Sequence, residues 1–345
     1  MSRGVGVLGA GPGVAALHLP TIARLEGDLL VVHIADGGSG RARSLAEARG
    51  ARWSTGEDEL LADPRVEVVA ICTPPAEHAR QILAAVDAGA RAIFCEKPLA
   101  TTIEDAEHVV EACRAAAVVL MVGTNHLFDP AWGRAKHHLV HQGERVRTVS
   151  VTLALPPNGR YHDLVAEGGP FTAVHRGAPD LDDARMAASM VRSLISGLAV
   201  HDLPAVRDLA PDVERVVFAR AIAPVGFAVG YIASGIGVTM TALMQPDGPD
   251  ALWRLSIGGA HDRVDVDFPP AFVHAGSAAV TVRHGGGRVT RYRRDAEDGY
   301  ESEWRAFIAL IDGSEAVEYD EILADARYTL RIADEAAAVI LEAAG

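Results

Sequence analysis

Five continuous apolar runs in the first 124 residues, "GVGVLG", "LLVVHIA", "VEVVAICT", "ARAIFCE" and "AVVLMVG", constrain this chain more than any other feature. None alternates apolar with polar residues, so each asks to be buried on both faces, as the strands of a parallel sheet are. Between them "EHARQILAAVDAG", which ends on Gly89, and "TIEDAEHVVEACRAA", with a capping residue and acids in its first turn, read as helices. Strand and helix in alternation predict an α/β fold with a doubly wound parallel sheet over residues 1–124.

The pattern changes after about residue 145. "RVRTVSVTLAL", "VERVVFARAI", "FAVGYIASGIGVTMTAL", "LWRLSIGG", "RVDVDF" and "AAVTVRHGGGRVTRYRR" are strand candidates separated by turn residues. Helices are expected at "LDDARMAASMVRSLIS", "SEWRAFIALIDG" and "ILADARYTLRIADEAAAVILEAA". Residues 125–345 therefore predict an α+β domain with a large, mostly antiparallel open sheet. A chain of 345 residues that is 49% hydrophobic can supply a core to each of two domains.

A formal net charge of -14, with no basic stretch against it, argues against nucleic acid or an anionic membrane as partner and for a small molecule. Cys72, Cys95 and Cys113 are odd in number and widely spaced, which reads as reduced thiols in a cytoplasm. The first apolar stretch is broken by glycines and prolines, with only Arg3 ahead of it, so it is not read as a signal peptide. No run reaches the roughly eighteen apolar residues that a membrane span needs.

Chemistry enters at "VGVLGAGPGVAALHLP". Gly9, Gly11 and Gly13 between strand and helix allow a tight turn and close approach to a pyrophosphate at a helix N-terminus. Val14 stands where the third glycine of the usual fingerprint falls, or Ala15 does if Gly13 marks a one-residue insertion, and Pro12 removes one amide donor, so an ordinary strand-to-helix turn is the competing reading. Asp36 ends the second run, where an acid accepts hydrogen bonds from ribose hydroxyls and repels a 2'-phosphate; NAD is expected over NADP. Arg41 and Arg43 follow closely and leave NADP open, and a solvated acid at a strand end is the plain alternative for Asp36.

The chain holds only two lysines, Lys97 and Lys136, and takes the rest of its positive charge from arginine. Lys97 lies in "IFCEKPLA", pinned between Glu96 and Pro98 at the carboxyl end of a strand, where open α/β sheets bind ligands. A guanidinium stays protonated, whereas an ammonium moves toward neutrality when buried, so this position asks for an amine whose proton can leave.

The glycine turn, Asp36, "ICTPPAEH", "CEKPLA", "VGTNHLFDP" and "GLAVHDLPAV", in that order, resemble the Gfo/Idh/MocA family of glucose–fructose oxidoreductase and inositol dehydrogenase. The resemblance implies a Rossmann domain, then a domain whose open sheet lines the active site and joins subunits into a homodimer or homotetramer. It implies a nicotinamide cofactor and chemistry at a hydroxyl- or carbonyl-bearing carbon of a sugar, sugar derivative or cyclitol. By the same resemblance Thr73, Pro74, His78, Glu96 and Asn125 lie along the cofactor, Lys97 polarises the reacting oxygen, and His201 is the acid/base.

The chain departs from the family at Gly197, where an aspartate usually stands four residues before that histidine, at Pro204 and at Leu127. Three other readings stay open on the same residues: a redox-neutral sugar lyase or glycosidase that uses bound NAD transiently, a non-catalytic cofactor-binding partner, and a lyase without cofactor. Elsewhere His137, His138 and His141 read as a solvated helix face with no acid beside them, so no metal site is expected. Asp180, Asp182 and Asp183 read as a charged helix start. Arg160, Tyr161 and His162 belong either to the substrate crevice or to loop surface.

Overall fold

The computed structural model describes residues 2–156, 179–245, 248, 250–270 and 273–344; Arg160, Tyr161 and His162 lie outside them. The chain forms two compact units, one running to Thr124 and joined by Glu303–Ala326, the other made of the remaining described residues.

The first unit is built on β1 (Arg3–Leu8), β2 (Leu29–Asp36), β3 (Arg52–Thr55), β4 (Val68–Ile71), β5 (Ala92–Glu96) and β6 (Val119–Gly123). All neighbours pair in parallel, in the order β3-β2-β1-β4-β5-β6. That order reverses direction between β1 and β4, the switch point at which doubly wound sheets open a ligand crevice. Helix Pro75–Asp87 buries His78, Gln81, Ile82 and Ala85, one stripe at helical spacing, and helix Ile103–Ala115 starts on Thr102, whose side chain accepts from the Asp105 amide. Their apolar faces and those of β1, β4, β5 and β6 share one core with Ile82, Ile93, Val109 and Leu120. The sixth strand, β3, is absent from the five runs because "RWST" buries only Ser54, as befits a short edge strand.

The second unit carries β7 (Thr148–Leu155), β8 (Val213–Ala221), β9 (Val225–Ala233), β10 (Ile236–Met244), β11 (Leu252–Gly258), β12 (Asp262–Asp267), β13 (Ala279–His284) and β14 (Val289–Tyr292). They form one sheet in the order β14-β13-β12-β11-β7-β10-β9-β8, antiparallel except where β10 pairs with β7. The run "FAVGYIASGIGVTMTAL" is two strands, turned at Ser234 and Gly235, both with positive φ. β7 buries every second residue, so one face packs and the other does not. The packed face meets Trp132 and Leu139 of helix Pro130–His141, Val191 and Ile195 of helix Ala184–Gly197, and Ile332 and Ala336 of helix Tyr319–Glu342. Asp183 caps helix Ala184–Gly197 through the Arg185 and Met186 amides, which is the helix-start role expected of the 180–183 acids. No helix among the described residues is long and apolar enough to cross a membrane.

Candidate functional site

The carboxyl ends of β1, β2, β4 and β5 place the expected groups of the first unit together. Gly9 sits at φ +113, and a Cβ there would lie 2.4 Å from the Cys72 carbonyl, so no other residue fits between β1 and the end of β4. Gly11 and Gly13 differ: a Cβ on either meets nothing within 4 Å, leaving the turn's outer side bare of side chains. Val14, in the third glycine's place, is buried and begins a π-helical turn, Val14–His18, before helix Leu19–Arg24. Such turns widen a helix locally and recur at functional sites. The bare glycine edge and the following helix fit a dinucleotide phosphate; Pro12 lies between them.

Asp36 does end β2, but its carboxylate is engaged by its own loop. Oδ1 accepts from the Gly38 amide at 2.8 Å, and Oδ2 accepts from Ser39 Oγ and the Ala42 amide. Burial pushes this carboxyl up, yet those hydrogen bonds outweigh it and hold the group below its ordinary range. Arg41 donates from Nε to the Ala10 carbonyl at 2.9 Å, which lays its guanidinium against the glycine turn, while Arg43 pairs with Glu47.

Thr73 follows β4, with Oγ1 2.5 Å from Gln81 Oε1, and Pro74 caps helix Pro75–Asp87. His78, fully buried, lies between two carbonyls, Nδ1 2.7 Å from Pro98 O and Nε2 2.8 Å from Thr73 O. It therefore ties the loop after β4 to Pro98 after β5, whose bond to Lys97 is cis. At that end Glu96 Oε2 accepts the Lys97 amide at 3.2 Å, and Oε1 accepts from His18 Nε2 at 2.8 Å. The Nδ1 of His18 accepts from Trp304 Nε1 at 3.2 Å, which fixes the tautomer with the proton on Nε2. Phe94 holds Trp304 from below, stacked at 4.3 Å. A chain of hydrogen bonds from Trp304 through His18 to Glu96 thus ends beside Lys97.

Burial pushes the Lys97 ammonium below its ordinary value, against the opposing attraction of the Glu96 carboxylate. Burial pushes Glu96 up, but the hydrogen bond from His18 and the charge of Lys97 bring it below its ordinary value. The sign for stability follows from that lowered value: Glu96 stabilises the fold above the unfolded carboxyl range and loses this contribution as pH falls through its folded value. Replacing His18 by phenylalanine keeps the aromatic contact and removes the donor. Acid unfolding of His18→Phe should begin at higher pH than that of the wild type, which circular dichroism across pH 2–6 would read; coincident curves would remove His18 as the group that supports Glu96.

In the second unit His201 Nδ1 lies 2.7 Å from Asn125 Oδ1, and an amide oxygen, which only accepts, holds the proton on Nδ1. Asp202, next in sequence, is engaged elsewhere: Oδ1 accepts from His126 Nδ1 at 3.0 Å and Oδ2 from Trp253 Nε1 at 2.8 Å. His126 stacks on Phe268 at 3.7 Å, and its Nε2 has no hydrogen-bond partner among the described residues. Gly197 ends its helix and is exposed, a short 3-10 turn, Ala199–His201, intervenes, and a Cβ at 197 meets nothing within 4 Å. An aspartate there would not continue a helix face to His201. The sequence reading did not single out His18, Trp304 or His126; a buried histidine inside the apolar stretch after the glycine turn was the one local signal for the first.

Residues 3–124 match the family model for an oxidoreductase family with an NAD-binding Rossmann fold. The chain is 29% identical to inositol 2-dehydrogenase 2 of Saccharopolyspora erythraea over 286 residues, 80% of this chain and 82% of that one. It is 34% identical over 140 residues to the uncharacterized oxidoreductase YrbE of Bacillus subtilis, an alignment that covers 40% of either chain. The structure of KijD10, a 3-ketoreductase from Actinomadura kijaniata in complex with NADP, superposes with a TM-score of 0.75 at 20% identity, over 97% of this chain and 98% of that one. The sequence match over residues 3–124, the strand order and the shared architecture together support a Gfo/Idh/MocA oxidoreductase with an NAD-binding Rossmann unit.

Proposed function

We propose that this protein moves hydride between a nicotinamide cofactor and a secondary alcohol or ketone of a sugar, sugar derivative or cyclitol. The observation that carries the reading is Lys97 at the end of a Rossmann strand, its ammonium pushed toward neutrality by burial and its neighbour Glu96 held by His18 and Trp304. The bound cofactor supplies or takes the hydride. Lys97 hydrogen-bonds the reacting oxygen and gives it a proton in reduction or takes one in oxidation, and Glu96 sets its charge. His201, its tautomer held by Asn125, is the second proton-transfer group. The name of the inositol 2-dehydrogenase to which the chain is similar supports a polyhydroxylated ring as substrate. Exposed Val217 and Phe218 on β8 and Leu252 on β11 support assembly of like subunits through that sheet, and three free thiols support a cytoplasmic setting.

NAD is the proposed cofactor, with Asp36 as discriminator, because a 2'-phosphate placed near its carboxylate meets like charge. One observation favours NADP instead, the Arg41 guanidinium on the Ala10 carbonyl. Fluorescence titration decides: wild type should bind NADH more tightly than NADPH, and Asp36→Ala should shift the ratio toward NADPH by about tenfold or more. Tighter NADPH binding by wild type, unchanged in Asp36→Ala and lost in Arg41→Ala, would reverse the assignment. A sugar and cyclitol panel read at the nicotinamide absorbance tests the reaction itself, and net formation or loss of reduced cofactor excludes a redox-neutral cycle.

A further inference from the structure

The expectation that His138 shares a solvated helix face with His137 and His141 does not hold. Its side chain is only 10% exposed, and an acid distant in sequence completes a cluster with it. Asp262 opens β12 and His284 closes β13, and the two are cross-strand partners, so the hairpin presents a carboxylate and an imidazole side by side. Helix Pro130–His141 brings the third group. His138 Nε2 lies 2.9 Å and His284 Nδ1 3.0 Å from the same oxygen, Asp262 Oδ2, and the three ligand atoms fall within 4.8 Å of one another. Around this group the turn is braced: Glu144 accepts the His261 and Asp262 amides at 3.2 and 3.1 Å, and Thr290 Oγ1 lies 3.1 Å from His284 Nε2. His138 also lines a groove of about 450 Å³ with Pro130, Arg134, His137 and Tyr292.

We propose that His138, Asp262 and His284 bind one divalent transition-metal ion of zinc-like chemistry, with water from the groove completing the coordination. Ligands held about 2.0–2.2 Å from a tetrahedral zinc lie about 3.4 Å apart, so small side-chain shifts suffice here. Two imidazoles and one carboxylate select zinc, cobalt or nickel over the oxygen-seeking calcium and magnesium. Binding requires His138 Nε2 and His284 Nδ1 to be free of protons; in a neutral ring the proton moves by way of solvent to the other nitrogen, with no net release. The single ring proton of His284 then sits on Nε2, where Thr290 Oγ1 accepts it; this replaces the 3.4 Å approach of the exposed Arg288 guanidinium to that nitrogen. The ion would fasten helix Pro130–His141 to the β12–β13 pair.

Untagged full-length protein, stripped with a chelator and dialysed, is titrated with Co²⁺ in the visible range and with Zn²⁺ by calorimetry. One ion per chain should bind, with ligand-field bands of a nitrogen-and-oxygen site and a higher melting temperature. His284→Gln and Asp262→Asn should each weaken binding by at least about 100-fold, since even outer-shell partners of metal ligands contribute 10–100-fold. Asp262→Asn keeps an acceptor for both histidines and so tests ligation apart from folding. A His137→Gln, His141→Gln double variant should bind as the wild type does. No stoichiometric binding, full affinity in Asp262→Asn, or loss of binding in the double variant would each overturn the site.

Discussion

Lys97→Met should turn over about 10² to 10⁴ times more slowly than wild type while binding the cofactor nearly as well. Methionine keeps most of the side chain's length and apolar contacts, and it removes the only part that can exchange a proton. The variant should also be folded at least as firmly. With its folded value pushed below the ordinary 10.5, Lys97 binds its proton less readily in the folded chain than in the unfolded one. That cost is present at neutral pH and fades as pH rises through the window between the two values, so its removal does not weaken the fold there. Lys97→Arg should fail as badly in turnover, because a guanidinium keeps its proton and presents a wider fork. The pH dependence supplies the decisive reading. Reduction should lose rate as Lys97 deprotonates at high pH, oxidation should gain it, and the limb should lie below 10.5 and vanish in Lys97→Met. Near-normal turnover in the arginine variant would leave Lys97 without a proton-transfer role.

How far the sequence carried this picture depends on distance along the chain. The parallel sheet was legible because strands buried on both faces must be apolar throughout, and β3 was not because a short edge strand needs no such run. Lys97 was legible because lysine is rare here and sits between an acid and a proline. What supports it was hidden: Trp304 reaches His18 across 286 positions, and only the return of residues 303–326 to the first unit brings them together. Periodicity marks Trp304 as an apolar helix position and says nothing of its indole N–H. The cluster at Asp262 was hidden for the same reason, since His138 meets an acid 124 residues away through strand register, which no local spacing reveals. Asp36 shows the opposite case. Its place at the end of β2 was legible, yet the loop that occupies its oxygens depends on the backbone path through Gly38 and Gly40, both at positive φ.

The amide of Asn125 changes what should be expected of His201. A family aspartate at 197 was the group whose absence drew notice, but the structure gives the histidine a different partner, 2.7 Å away on the segment after β6. An amide oxygen fixes the tautomer with the proton on Nδ1, so that in the proposed role Nε2 is the nitrogen that exchanges protons, and it adds no negative charge to favour the imidazolium. His201→Ala should therefore remove one limb from the pH–rate profile and lower turnover by about 10² or more. Asn125→Ala should retain cofactor binding but lose part of that rate, because the ring is no longer held. Asn125→Asp keeps the shape and adds the missing charge, so the limb should move to higher pH as the imidazolium gains a counter-ion. This last shift separates proton transfer by His201 from a merely structural role, which a change of charge at its Nδ1 partner would leave without a pH signature. Full activity and an unmoved profile in His201→Ala would assign the proton transfer to Lys97 alone.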